Sequence, residues 1–324
     1  MTILTTGLGS ANGNDLTVVA VDLGGTQIRA AMITSDRVMV NRCSTPTPNT
    51  LDSRAVIDTA AAQIERVLQA TNRPVDAIGV SVLGPVDVEH GIIRSAPTIA
   101  GFDNVALGPE LEDRFGLPVH LINDANAAAL AEWTLGSGRG TTTFCYVTVS
   151  TGIGCGIIVD GQLLLGHEGH AGELGHILVP DPDGGLVALE DLASGTAIAR
   201  LGQRIRLSEQ DAPAPTARSV AEAAHNGDER ARSIFTRAAT VLGLQLGNLV
   251  RLINPETIAL GGGVARAGEV FWEPVRRSLT ESLSRHNLHV PELVSAELAD
   301  DAGLHGAAIE VCRRYAEGSL RQRP

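Results

Sequence analysis

Apolar runs broken by short glycine turns recur twice along this chain. Thr17 to Leu23 is a valine-rich run that closes on Asp22-Leu23-Gly24-Gly25-Thr26; Gln27 to Thr34 resumes it, and Arg37 to Arg42 forms a third stretch. A strand, a tight glycine turn and a returning strand make a hairpin. From Ala55 to Ala70 the period changes, with Val56, Ile57, Ala60, Ile64 and Val67 on one face of a helix. Ala77 to Leu83 is a further strand, ending at Gly84-Pro85, and Leu107 to Phe115 is a short helix. The mostly apolar run Val119 to Ile122 then stops at Asn123 and Asp124. An alanine-rich helix is expected from near Ala125, since Ala and Leu are strong helix formers. The order βββαβ, then αβ, is that of an α/β protein.

The pattern then restarts. Thr142 to Ser150 is a strand running into Ser150-Thr151-Gly152-Ile153-Gly154-Cys155-Gly156. Gly156 to Val159 returns, Asp160-Gly161 turns, and Gln162 to Leu165 is a third strand. The two halves share a theme of pattern, not of sequence identity. Ser208 to Pro215 reads as a polar, proline-containing loop. Glu229 to Ile253 is a long helix with Ile234, Ala238, Val241, Leu242, Leu246 and Leu249 near one face. Thr257 to Leu260 is a strand leading into Gly261-Gly262-Gly263, and Leu304 to Tyr315 is a closing helix.

With 324 residues, 44% of them hydrophobic, the chain can build two globular domains. A net charge of −12 argues against nucleic acid or an anionic membrane as partner. No apolar run approaches the ~20 residues of a membrane span. Met1 to Asp15 lacks the basic and apolar regions of a signal peptide, so residues 1–16 read as a frayed extension. Cys43, Cys145, Cys155 and Cys312 are scattered and read as buried thiols of a cytoplasmic protein. There is no lysine: all 25 basic residues are arginine. This excludes a Walker-A P-loop and Schiff-base or pyridoxal chemistry. Any phosphate must be held by backbone N–H groups, hydroxyls, Arg or a metal.

Each candidate site has two readings. Asp124, at the carboxyl end of a strand, sits where ligands bind in open α/β sheets and can accept a proton; alternatively it caps the helix that follows. The glycine turns after Asp22 and Ser150 can present N–H groups to phosphates, or be plain hairpin turns. Gly261-Gly262-Gly263 can admit a base or ribose close to the backbone, or serve positive φ. His167, Glu168, His170, Glu173 and His176 lie close together, but His167-Glu168-Gly169-His170 is one residue short of H-E-x-x-H, so no zincin site is expected. No G-x-S-x-G is present, which excludes the serine-hydrolase elbow.

Together the motifs resemble the ROK family of sugar kinases, which includes bacterial glucokinases and N-acetylmannosamine kinases. The resemblance runs from Val18 to Tyr315, with the motifs in the family's order. Asp22-Leu23-Gly24-Gly25-Thr26 resembles its first phosphate motif and Ser150 to Gly156 its second. Gly84-Pro85-Val86-Asp87 and Ser95-Ala96-Pro97 are similar to its sugar-side loops, and Asn123-Asp124-Ala125-Asn126-Ala127 to its catalytic segment. Gly169 to His176 resembles the family signature, Leu189-Glu190 with Ala193-Ser194-Gly195 the segment carrying the last sugar ligand, and Gly261-Gly262-Gly263 the adenosine motif.

The resemblance implies an α/β, two-lobed actin-like ATPase (ribonuclease H-like) fold with mixed sheets and an interlobe cleft. The first lobe would span 17–121, joined by the C-terminal helix 304–319, and the second 122–303, with ATP and sugar sites in the cleft. It implies Asp124 as general base, with Gly84, Asn123, Glu173, His176 and Glu190 as sugar ligands. Asp22, Gly24, Gly25, Thr26, Ser150, Thr151, Gly152, Gly154, Gly261, Gly262 and Gly263 would hold the nucleotide. Asp22 would order the water shell of Mg²⁺. The implied reaction is phosphoryl transfer from ATP to a primary hydroxyl of glucose or an N-acetylhexosamine, with a C7-cyclitol of the valiolone or valienone kind as alternative acceptor. A homodimer is a family expectation. A repressor-like sugar sensor is disfavoured, because Met1 to Leu16 is too short for a helix-turn-helix unit.

Two departures stand out. Many family members carry a Cys-x-Cys-Gly-x-x-Gly-Cys zinc loop between the counterparts of His176 and Glu190. Here Ile177 to Leu189 contains no cysteine, so no protein-bound metal is expected. Pro180, Pro182, Leu186, Val187 and Leu189 are expected to fix the shorter loop by rigidity and packing, with Asp181 and Asp183 solvated and His176 free to bond the acceptor. Thr98 stands where an Asn often follows Ala-Pro.

Overall fold

The computed structural model describes residues 16–50, 52–96, 99, 101–181, 184–205 and 214–318. The N-terminal extension other than Leu16, Pro97, Thr98, Pro182, Asp183, most of the 208–215 loop and Ser319 lie outside the described residues. The chain forms two compact units. One takes the chain up to Ala131, Leu165–His170 and the stretch from Asp300 onward; the other takes Glu132–Leu164 and Ala171–Ala299.

In the first unit, β1 (Val18–Leu23), β2 (Gln27–Ile33) and β3 (Met39–Pro46) are followed by α1 (Ser53–Gln69) and β4 (Ala77–Val82). A small sheet of β5 (Val86–Asp87), β6 (Ile92–Ser95) and β7 (Asp103–Val105) intervenes. Then come α2 (Leu107–Phe115), β8 (Val119–Asn123) and α3 (Asp124–Leu135). The main sheet has the order β3-β2-β1-β4-β8, antiparallel from β1 through β3 and parallel from β1 through β8.

Both faces of its centre are covered, which is why β1 and β4 are nearly unbroken apolar runs. Val19, Val21, Leu23, Ile78, Val80 and Val82 join the core with α1 and α2. The alternate positions carry small or polar residues, among them Ala20, Asp22, Gly79 and Ser81. Against that face packs the C-terminal helix, Ala302–Ala316. A Cβ on Gly79 would meet Ala307 O at 2.5 Å, so glycine there lets helix and strand approach. The expected division after residue 121 is corrected: the first turns of α3 belong to the first unit, because the C-terminal helix seats Gly306 against the Ala127 backbone.

The second unit repeats the arrangement. It contains β9 (Phe144–Val149), β10 (Ile153–Val159) and β11 (Gln162–Leu163), then the hairpin β12 (Leu178–Pro180) and β13 (Leu186–Ala188). Next come α4 (Leu189–Ala193), α5 (Gly195–Arg204), α6 (Ala217–His225), α7 (Glu229–Ile253), β14 (Thr257–Gly261), α8 (Glu269–Ser284) and β15 (Glu292–Ser295). Its sheet runs β11-β10-β9-β14-β15, the order of the first sheet with each strand replaced by its later counterpart. α7 and α8 supply much of the core through Phe235, Leu242, Leu246, Phe271, Val275 and Leu279.

Glu132 is fully buried, and its carboxylate accepts from Ser137 N (3.0 Å), Ser137 Oγ (2.9 Å), Glu297 N (3.1 Å) and Leu298 N (2.7 Å). Cys145 and Cys155 are buried as expected, but Cys43 and Cys312 are only partly so. Burial pushes the Cys145 thiol up to about 12 and the Cys155 thiol well above the ordinary range. Among the described residues no helix is long and apolar enough to cross a membrane.

Candidate active site

Parallel pairing decides what gathers at the edge of the first sheet. Leu23 pairs with Val82 and Val82 with Asn123, so β1, β4 and β8 deliver their carboxyl ends side by side. This brings together Asp22, the turn Gly24–Thr26, Gly84, Asn123 and Asp124.

Asn123, not Asp124, caps α3. Its Oδ1 accepts from Ala125 N (3.0 Å) and Asn126 N (3.1 Å), and its Nδ2 donates to Gly84 O (3.1 Å). The capping reading of Asp124 is therefore corrected: strand register carries β8 through Asn123, and Asp124 is already the first residue of the helix. With both carbonyl lone pairs and one N–H committed, Asn123 retains one N–H for a ligand. Gly84 contributes a carbonyl that orients Asn123. Asp124 is half-buried in the first helical turn, where negative charge is favoured, and its Oδ1 accepts from Ala125 N at 2.9 Å.

The Asp22 side chain is 16% exposed. It accepts from Arg29 Nη1 (2.9 Å) and Ser81 Oγ (3.3 Å), and the start of the C-terminal helix closes over it, since a Cβ on Gly303 would meet its Oδ1 at 2.6 Å. Burial raises its pKa despite the opposing Arg29 charge and the Arg29 and Ser81 hydrogen bonds; the Asp300 charge adds to the rise. A desolvated carboxylate of this kind is stabilised by added positive charge, which suits an acid that orders the water around a divalent cation.

In the second unit β9 and β14 run parallel, with Gly261 beside Thr148, so the turn Ser150–Gly152 and the segment Gly261–Gly263 share one sheet edge. β10 begins at Ile153, not at Gly156. Gly154 is thus a strand residue paired with Thr148, one step beyond the turn proper, Ser150–Gly152. Gly262 has φ +87°, and a Cβ there would run into Val149 O; Gly263 faces open space.

The signature segment lies against β10. A Cβ on Gly172 or Gly175 would strike Cys155 O or Ile153 O, so these glycines allow backbone to lie on backbone. The 3₁₀ turn Leu174–His176 follows. His176 Nδ1 lies 3.1 Å from Glu173 Oε2 and its Nε2 3.6 Å from Glu190 Oε1. Glu173 and Glu190 thus stand beside His176, each ring nitrogen facing a carboxylate. Glu190 Oε2 also accepts from Ile153 N at 3.3 Å, joining the cluster to the phosphate turn.

Between His176 and Glu190 the chain forms the β12–β13 hairpin, with Leu189 N donating to Ile177 O at 2.9 Å. Val179 and Leu189 are buried, and Val187 packs on the core. Leu186 is 64% exposed, which corrects the expectation that it packs. Asp181 is not merely solvated but lies 3.6 Å from Arg237 of α7. Among the described residues no group of three or more His, Cys, Asp or Glu side chains is arranged to hold a metal ion.

The sequence reading missed Arg29 and Ser81 as partners of Asp22, and Thr47 and Thr196 beside the two turns. Arg29 had a signal: a hairpin centred on Gly25-Thr26 puts residue 29 directly opposite residue 22.

Residues 18–313 match the family model described as the ROK family. Over 311 residues the chain is 33% identical to a glucokinase of Thermotoga maritima, covering 90% of this chain and 96% of that protein. It is 32% identical over 301 residues to an N-acetylmannosamine kinase of Shigella boydii serotype 18, covering 91% and 98%. Its structure aligns with that of a ROK family glucokinase from Streptomyces griseus in complex with glucose and AMPPNP, with a TM-score of 0.79 and 31% identity over 92% of this chain and 99% of that one.

Proposed function

This chain belongs to the ROK family, and on that premise we infer that it is an ATP-dependent carbohydrate kinase with the actin-like ATPase fold. It transfers a phosphoryl group from ATP to a primary hydroxyl of a glucose-like sugar, glucose or an N-acetylhexosamine. The Thermotoga maritima and Shigella boydii relatives carry those two acceptor classes in their names. They lend the C7-cyclitol alternative no support.

The observation that carries the catalytic role is the division of labour at the end of β8. Asn123 accepts from Ala125 N and Asn126 N, and Asp124 stands next to it at the carboxyl end of β8, the edge of a parallel sheet at which ligands bind. In the proposed step the sugar oxygen forms a bond to the γ-phosphorus as the bond from that phosphorus to the β,γ-bridging oxygen breaks. ADP leaves, and Asp124 takes the hydroxyl proton. Glu173, His176 and Glu190 hold the other hydroxyls, which suits a ring that offers donors and acceptors together. The turns Gly24–Thr26 and Ser150–Gly152 offer N–H groups to phosphate oxygens, and Gly263 leaves room for the nucleoside. Mg²⁺ bound with ATP would neutralise phosphate charge, and Asp22 is the residue we assign to its water shell.

The test is a coupled assay over hexoses and N-acetylhexosamines with ATP and Mg²⁺, run on the wild type and on Asp124→Asn. The amide keeps the shape but accepts no proton, so turnover should fall by on the order of 10² or more while acceptor binding changes little. Turnover within a few-fold of wild type would remove Asp124 from the chemistry.

A further inference from the structure

A peptide group that shows its N–H to a phosphate carries its carbonyl on the opposite side, because the unit is planar and trans. If that carbonyl swings round, an attractive dipole becomes a repulsive one. In glycine-rich turns the swing meets little steric resistance. A phosphate-binding turn therefore needs something to hold its carbonyls from behind.

Both turns in this chain have such a holder, and in both it is a threonine that follows in sequence. In the first unit, Thr47 directly succeeds β3. Its Oγ1 donates to Gly24 O at 2.6 Å, and its N–H donates to Thr26 O at 3.0 Å. Fixing Gly24 O fixes the Gly25 N–H on the other side of the same peptide. In the second unit, Thr196 is the second residue of α5. Its Oγ1 donates to Thr151 O at 2.8 Å and its N–H to the same oxygen at 3.4 Å, while Gly195 N donates to Ser150 O at 2.7 Å. These bonds fix the N–H groups of Gly152 and Thr151. None of the three N–H groups so aimed, on Gly25, Thr151 and Gly152, has a backbone acceptor among the described residues. One device thus occurs twice, built from a β-strand exit in one unit and a helix N-terminus in the other.

We propose that Thr47 and Thr196 are positioning residues for the two phosphate turns, each locking peptide planes so that N–H dipoles rather than carbonyls face the nucleotide's phosphates. This rests on reading the two turns as phosphate-binding. Neither threonine is offered as touching ATP. Each acts through the turn it holds, and each also lowers the negative potential of the carbonyl it binds.

The test compares Thr47→Val and Thr196→Val, which keep shape and lose the hydroxyl, with Thr47→Ser and Thr196→Ser, which keep it. Each valine variant should raise the KM for ATP by about three- to tenfold, the effect of one hydrogen bond, and leave the acceptor KM unchanged. Each serine variant should restore the wild-type value. Neither threonine is buried, so these proteins should fold. An unchanged KM for ATP, or a matched rise in both KM values that serine does not rescue, would overturn the proposal. Gly25→Val, which puts a branched side chain on the exposed turn, separates the two levels of the argument. If it raises the KM for ATP while the valine variants are silent, the locking role alone fails. If it leaves that KM unchanged, the phosphate-turn reading fails as well.

Discussion

Glu132 shows how much one side chain can hold. It has no exposed surface, no arginine among its hydrogen-bond partners, and four donors converging on it from residues 137, 297 and 298. Glu132→Gln would turn an amide N–H₂ toward some of those donors and leave them buried and unpaired. Such groups are costly, so the variant should lose about 3 kcal/mol of stability, read as a fall in the urea midpoint. A midpoint within error of wild type would show that water replaces the carboxylate. Nothing in the sequence marked Glu132, because two of its four donors come from a segment more than 160 positions away. Asn123 and Asp124 were legible as a strand end. Which of them caps was not, since both are good cap residues and only the strand register decides.

Among the elements, the long periodic ones were readable from the chain. α7 lies where its apolar spacing put it, α2 spans the expected Leu107–Phe115, and the two βββ modules follow their glycine turns. α8 was legible but missed: Phe271, Val275, Leu279 and Leu283 recur every four residues along it. The β12–β13 hairpin was not readable, for its strands are three residues long and alternate too briefly to show a period. That hairpin carries His176 at its entrance and leads into Glu190 at its exit, so its footing positions the acceptor cluster. The footing is Leu189, fully buried, rather than Leu186, which is 64% exposed. Leu189→Ala should cost about 2–5 kcal/mol, and Leu186→Ser should stay within about 0.5 kcal/mol of wild type. Equal losses by urea denaturation would mean that the hairpin is held some other way.

At the scale of the whole molecule, acid sensitivity has an identifiable source. Burial pushes the imidazoles of His120 and His305 below the usual histidine range, and the buried His120 Nε2 and His305 Nδ1 have no hydrogen-bond partner among the described residues. Arg314 reinforces the effect at His120 while Glu310 and Glu112 oppose it; Asp301 opposes it at His305. The folded state keeps these rings neutral while the unfolded chain protonates them near pH 6.5. Their contribution is complete above that pH and is lost as pH falls toward the folded values. Wild type should therefore lose more stability between pH 7 and pH 5.5 than His120→Asn/His305→Asn, a difference that cancels the opposite-signed contribution of Asp22. Parallel profiles would exclude the two histidines as the source. His305 lies on the C-terminal helix, which covers the small-residue face of the first sheet, and that placement governs how the protein is made. Strands of the first sheet leave the ribosome well before the helix that covers Ala20, Asp22, Gly79 and Ser81, which follows every segment of the second unit. At ordinary elongation rates the nascent chain carries that face uncovered for on the order of ten seconds. The second unit, whose segments all precede the helix, can close first. Translation of that helix, rather than synthesis of β8, is then the moment at which the Asp22 environment comes into being.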